Sequence, residues 1–172
     1  MLTANGATHP GRVRHVNEDA FYTDVDAGIF IVADGMGGHN AGEIASAMAI
    51  DTMRKFVVRT LSGSEFTWPF GVDPKLSFHA NWLLTAAKLA NRRVCRESET
   101  RDEYTGMGTT LVAALIIDQT MTIRVYATAE STPSGTASSN SSQTTIHGSA
   151  RWRRATPRWI ARRSPPTPCV TY

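Results

Sequence analysis

The feature that most narrows what this chain can fold into is the apolar run IFIVA, residues 29–33, which stops on Asp34-Gly35-Met36-Gly37-Gly38. Five consecutive apolar residues rich in β-formers read as a strand buried on both faces. Three glycines among the next five supply positive φ angles and close backbone approach, so the strand is expected to end at Ala33 and DGMGG to form a loop. A carboxylate carried to the end of a rigid strand beside free backbone carbonyls offers the oxygen ligands that hard divalent cations take. An Asp-Gly pair at a strand end also suits an ordinary turn, and the run alone does not separate the two.

The flanking sequence frames this strand. Residues 20–23 read as a preceding strand, joined to it by a turn at Asp26-Ala27-Gly28. Ala41, Ile44, Ala45, Met48, Ala49, Thr52, Met53, Phe56 and Val57 recur at three-and-four spacing and predict an amphipathic helix over 41–60, with Asn40 as N-cap. Gly63, Pro69, Gly71 and Pro74 mark 61–75 as a surface loop. A second helix is predicted over 76–98, with Leu83, Ala86, Ala87, Ala90 and Val94 inward and Arg92, Arg93, Arg96 and Glu97 solvated. Residues 109–117 and 120–123 then read as a hairpin turning at Asp118-Gln119.

At 172 residues the chain has room for one domain with a core of its own. No apolar stretch approaches the roughly 18 residues of a membrane span, and MLTANGATHPGR lacks the apolar stretch of a secretory leader. The expected location is therefore the cytoplasm. Cys95 and Cys169 are too few for a disulfide framework or a zinc site.

A second acidic cluster lies in RVRHVNED, where Arg14 precedes Glu18 and Asp19. If 20–23 and 29–33 pair antiparallel, Asp19 and Asp34 fall at the same end of the hairpin. Taken alone, the segment also suits a solvated charged turn. Three ordered motifs separate these readings: HPGRVRHVNEDAFY, then IFIVADGMGGHNAGEIAS, then GMGTTLVAALI. In this order and spacing, residues 7–123 resemble the bacterial form of the metal-dependent serine/threonine protein phosphatases, type 2C or PPM type.

The resemblance implies an α+β fold: an αββα sandwich of two packed antiparallel sheets with flanking helices, here partial and incomplete at the C-terminus. It implies that Asp34 bridges two Mn²⁺ or Mg²⁺ ions, that the Gly35 carbonyl binds one of them, and that Glu18 and Asp19 support the metals through water. Arg14 would hold the substrate phosphate, a task suited to a planar fork of donors that is always charged. Gly106, Gly108, Thr109 and Thr110 match a motif read as structural, setting the turn into the next strand. Some eukaryotic members carry a general-acid histidine directly after the Asp-Gly pair; here that position is Met36, which has no proton to give. His39 is read as an ordinary loop histidine. The implied substrates are phosphoserine and phosphothreonine proteins, placing the chain opposite serine/threonine kinases.

The resemblance stops after Ile123. In 124–172 there is no leucine, phenylalanine, methionine, lysine or aspartate, while serine, threonine and proline supply 21 of the 49 residues. Seven arginines against Glu130 make this segment +6 and leave the remainder at −3, so the basic pI belongs to the tail. Such a composition buries too little apolar area to offset ordering entropy and predicts disorder. It also reads as a coding sequence out of register. Restoring one base lost after the codon of Ile123 permits a continuation containing DSR, RDGKF and LTNDHSWV, which resembles the family's missing middle. The rival is a basic tail that binds nucleic acid or membrane, but its arginines form no amphipathic stripe and are interleaved only with Trp152 and Trp159. The expectation is thus a frameshifted chain with no nucleic-acid or membrane partner. It lacks two later metal-site aspartates, so it binds metal weakly and is inactive; the alternative is a noncatalytic phosphoprotein-binding module.

Overall fold

The computed structural model of the chain describes residues 2–37, 41–63, 67–127 and 141–147. Strand β1 (Asp19–Asp24) and strand β2 (Ile29–Met36) form the expected hairpin, with Gly28 in the left-handed region at φ 65°. Helix α1 (Ala41–Leu61) and helix α2 (Phe78–Thr100) follow, then a short 3₁₀ turn (Asp102–Tyr104). Strand β3 (Gly108–Ile117) turns at Asp118, φ 55°, into strand β4 (Thr120–Ala127), and strand β5 (Ser141–His147) pairs beyond it. All neighbours are antiparallel, in the order β1-β2-β3-β4-β5.

Both helices lie on one face of this sheet, α1 over β1, β2 and β3, and α2 over β3 and β4. The alternation of β2 turns Ile29, Ile31 and Ala33 inward, and β3 adds Leu111, Ala113 and Leu115. They meet Ala45, Ala49, Met53 and Val57 of α1 and Leu83, Ala86, Ala90 and Val94 of α2 in one buried cluster. Alanine on the facing turns lets the helices approach closely, while the larger Met53, Leu83 and Leu111 fill the gaps between them.

Several boundaries differ from those expected. β2 does not stop at Ala33: Gly35 pairs with Thr109 and Met36 with Gly108, so Asp34 and Gly35 belong to the strand. The reason is steric. A Cβ at residue 35 would run into the Gly42 carbonyl and stand 2.6 Å from the Glu18 carbonyl, so the glycine is what lets the strand continue beneath α1. α2 begins at Phe78 rather than Leu76 because the Ser77 hydroxyl accepts the Ala80 N–H at 3.2 Å and caps the helix. β4 runs past Ile123 to Ala127, turning Thr122 and Arg124 inward and Val125 outward. The expected N-cap Asn40, the loop histidine His39 and most of the tail expected to be disordered lie outside the described residues.

A buried amide fastens the loop between the helices. Asn81 accepts the Asp73 N–H at 2.8 Å and directs its own NH₂ to the carbonyls of Asp73, Leu76 and Ser77 at 3.0 to 3.3 Å.

Candidate metal and phosphate site

The site forms where the segment before β1 meets the end of β2. Asp19 and Asp34 are direct partners in the β1–β2 register, and their carboxyl groups lie within hydrogen-bonding reach of each other. Burial, then the neighbouring Asp19, then Glu18 push the Asp34 carboxyl above its ordinary range, while the Arg14 guanidinium pulls it down. The three charged neighbours acting on Asp34 are thus the two acids and the arginine singled out in RVRHVNED.

Local backbone chemistry sets each of them. The Asn17 side chain accepts the Asp19 N–H at 3.1 Å and donates to the Thr8 hydroxyl at 2.8 Å, an Asx turn that fixes how the chain enters β1. The Gly35 N–H donates to the Glu18 carbonyl at 3.0 Å, tying the acidic segment to the strand end. From the other side the buried Thr109 hydroxyl donates to the Asp34 carbonyl at 3.0 Å. Asn17 and Thr109 position the site without standing out in the sequence, although Thr109 belongs to the GMGTT motif read there as structural. The NED triplet is the one signal that pointed toward Asn17.

Glu18 is divided between two neighbours. Its Oε2 accepts Arg14 Nη1 at 3.2 Å, with the Arg14 side chain 63% exposed and that of Glu18 19%. An ion pair so open to solvent contributes about 0–1 kcal/mol, so Arg14 is oriented but not locked. Its Oε1 faces the first turn of α1 at Gly42. A cleft of about 680 Å³ opens beside the pair, between Thr3–Thr8 and the outer face of β1 and β2, and reaches both Asp19 and Asp34.

The donors suit a hard divalent cation in kind: they are oxygen only, and two adjacent carboxylates repel until a cation comes between them. Among the described residues no three His, Cys, Asp or Glu side chains stand together as a metal-holding group. Met36 occupies the strand position after Gly35, half-buried and without a transferable proton. Among the described residues no helix is long and apolar enough to cross a membrane.

Residues 6–126 match the sequence profile of the family Protein phosphatase 2C. The chain belongs to that family. The serine/threonine phosphatase stp of Listeria monocytogenes serotype 4b (strain F2365) is 35% identical over 128 residues, covering 71% of this chain and 46% of the relative. The serine/threonine protein phosphatase PstP of Mycobacterium tuberculosis (strain H37Rv) is 35% identical over 105 residues, covering 61% of this chain and 17% of the relative. The chain therefore spans less than half the length of these relatives. Among solved structures, the catalytic domain of PstP in complex with two manganese ions superposes with TM-score 0.55 at 30% identity, over 70% of this chain and 46% of that one. Stp1 from Staphylococcus aureus gives 0.52 at 30% identity, over 70% and 44%.

Proposed function

We propose that this chain carries the phosphate-receiving end of a metal-dependent phosphoserine/phosphothreonine phosphatase and does not by itself turn over substrate. The observation that carries the reading is the Asp19–Asp34 carboxylate pair with Arg14 in electrostatic reach of it. Asp34, Asp19, Glu18 and the Gly35 carbonyl are the groups that would hold Mn²⁺ or Mg²⁺, two ions being the complement in the PstP complex. Bound metal supplies Lewis-acid charge at phosphorus and lowers the pKa of the attacking nucleophile. Arg14 supplies a bidentate, permanently charged fork for phosphate oxygens, and its loose pairing with Glu18 leaves it free to swing onto them. Met36 cannot protonate the leaving alkoxide, so that proton must come from elsewhere.

Weak metal binding and lack of turnover are expected because the resemblance ends before the family's two later metal-site aspartates, and a cation held by few carboxylates is poorly centred. The same shortfall favours a second reading, in which Arg14 binds phosphoproteins without turnover. Manganese-dependent release of phosphate from p-nitrophenyl phosphate separates the outcomes. Robust turnover refutes inactivity, and phosphopeptide binding without turnover favours the binding module. The substrates would be phosphoproteins made by serine/threonine kinases in the cytoplasm.

Two features of the sheet support a partial αββα sandwich with a displaced reading frame. On the face away from the helices, Phe21, Val32, Val112 and Val125 pair in one cross-strand row and stay 37%, 56%, 40% and 41% exposed. A row of this kind suits a second sheet packed upon it. On the opposite face, β4 buries Thr122 and Arg124, and the buried Tyr126 hydroxyl has no hydrogen-bond partner among the described residues. One restoration of the frame permits alanine at 124 and valine at 126, residues that fit those inward positions. Resequencing the locus tests this: an open phosphatase continuation in the neighbouring frame after Ile123 is expected, and a stop codon there would end the idea.

A further inference from the structure

The geometry points to Gly42 as a positioning residue that seats the Glu18 carboxylate and, through it, orients Arg14. This rests on the phosphate-site reading given above for the function and names a residue that reading does not use. Gly42 lies in the first turn of α1, in a backbone conformation open to any helix-forming residue. Alanine is the better helix former there by roughly 0.5–1 kcal/mol on intrinsic propensity. The space a side chain would need is nevertheless taken. A Cβ at residue 42 would stand 2.5 Å from Glu18 Oε1, 2.9 Å from Glu18 Cδ and 2.9 Å from the Met36 nitrogen.

The missing side chain is therefore the socket of one carboxylate oxygen, and the other oxygen of the same carboxylate is the one Arg14 holds. A rigid three-atom carboxylate transmits displacement: pushing Oε1 away from the helix turns Oε2 out of line with the guanidinium. The β2 backbone cannot yield to relieve the contact, because Gly35 is itself packed beneath the Gly42 carbonyl and is hydrogen-bonded to the Glu18 carbonyl. Of the three atoms nearest that Cβ, two belong to the Glu18 side chain and one to the Met36 backbone, so it is Glu18 that moves.

The test is a cycle of Gly42→Ala and Glu18→Ala in the full 172-residue chain, read in two ways. Inorganic phosphate binding, followed by calorimetry in the presence of Mn²⁺, should weaken about tenfold in Gly42→Ala, the scale of lost support around a metal site. Thermal unfolding without any ligand should change sign. Gly42→Ala is expected to lower the midpoint in the wild-type background and to raise it in the Glu18→Ala background, where both Glu18 contacts are gone and helix propensity outweighs the remaining 2.9 Å approach to the Met36 nitrogen. A Gly42→Ala chain that binds phosphate like wild type overturns the proposal. So does a thermal effect that is the same in both backgrounds, which would place the conflict at the Met36 backbone instead. If the wild-type chain binds no phosphate at all, the phosphate-site reading fails and takes the positioning role with it, whereas wild-type binding with no change of sign defeats Gly42 alone.

Discussion

Asp19 and Asp34 face each other as the terminal register pair of the β1–β2 ladder, two carboxylates opposed across the last rung of a hairpin. Like charges placed directly opposite on neighbouring strands are destabilising, by about 0.2–1 kcal/mol. The pair is thus a local defect in folding terms, one that a cation would relieve on the proposed reading. Asp19→Asn or Asp34→Asn should raise the stability of the metal-free chain by an amount of that order in urea unfolding. The same substitutions should abolish any stabilisation of the wild type by added Mn²⁺.

Asn81 holds the loop before α2 through four hydrogen bonds from one buried side chain. Removing it strands the Asp73 N–H and three carbonyls, and a buried polar group left unpaired costs about 1–3 kcal/mol. Asn81→Ala should lower the urea midpoint accordingly. It lies away from the acidic cluster, so Mn²⁺ binding by the folded fraction should be unchanged.

Asp51 ties the helices together: it accepts Lys55 at 2.8 Å, Arg93 of α2 at 3.0 Å and Arg54 at 3.3 Å. Lys55 first, then Arg93 and Arg54, hold its carboxyl down at about 2. A carboxyl depressed in the folded state stabilises fully above its unfolded pKa of roughly 3.9 and loses that contribution as pH falls through the folded value. The wild-type advantage over Asp51→Asn in urea unfolding should therefore be flat from pH 7 to about 4.5 and shrink between about 4 and 2. An advantage unchanged across that window would show the ion pairs to be idle.

Among the described residues the Tyr126 hydroxyl, on the inward side of β4, has no hydrogen-bond partner, and burial pushes its phenol far above the ordinary range. Tyr126→Phe removes the orphaned group and keeps the ring, so it should stabilise the chain by about 1 kcal/mol. Equilibrium unfolding of the two proteins side by side checks the sign.

Much of this architecture is legible from periodicity. Three-and-four spacing places α1 within a residue of its observed end, and all five residues it turns inward on α2 are buried, alongside Ala80, Asn81, Trp82, Thr85 and Ser98, which it does not select. The β1–β2 pairing also brings Asp19 beside Asp34 as alternation requires. What periodicity misses are effects of close approach. Gly35 reads locally as a strand breaker, yet it continues the strand because a carbonyl from α1 occupies the place of its side chain. Gly42 reads as a weak helix residue, and only the folded arrangement shows Glu18 filling the space beside it. Asn17 and Thr109 act through single backbone hydrogen bonds, which leave no repeating trace in a sequence.

As proposed above, the Asp19–Asp34 pair takes a divalent cation weakly. Calorimetric titration of Mn²⁺ into the full chain and into its Asp34→Asn variant tests it most directly. Weak, saturable binding to the wild type and none to the variant is the predicted result. Equal binding to both, or tight binding that survives loss of the Asp34 carboxylate, would contradict it.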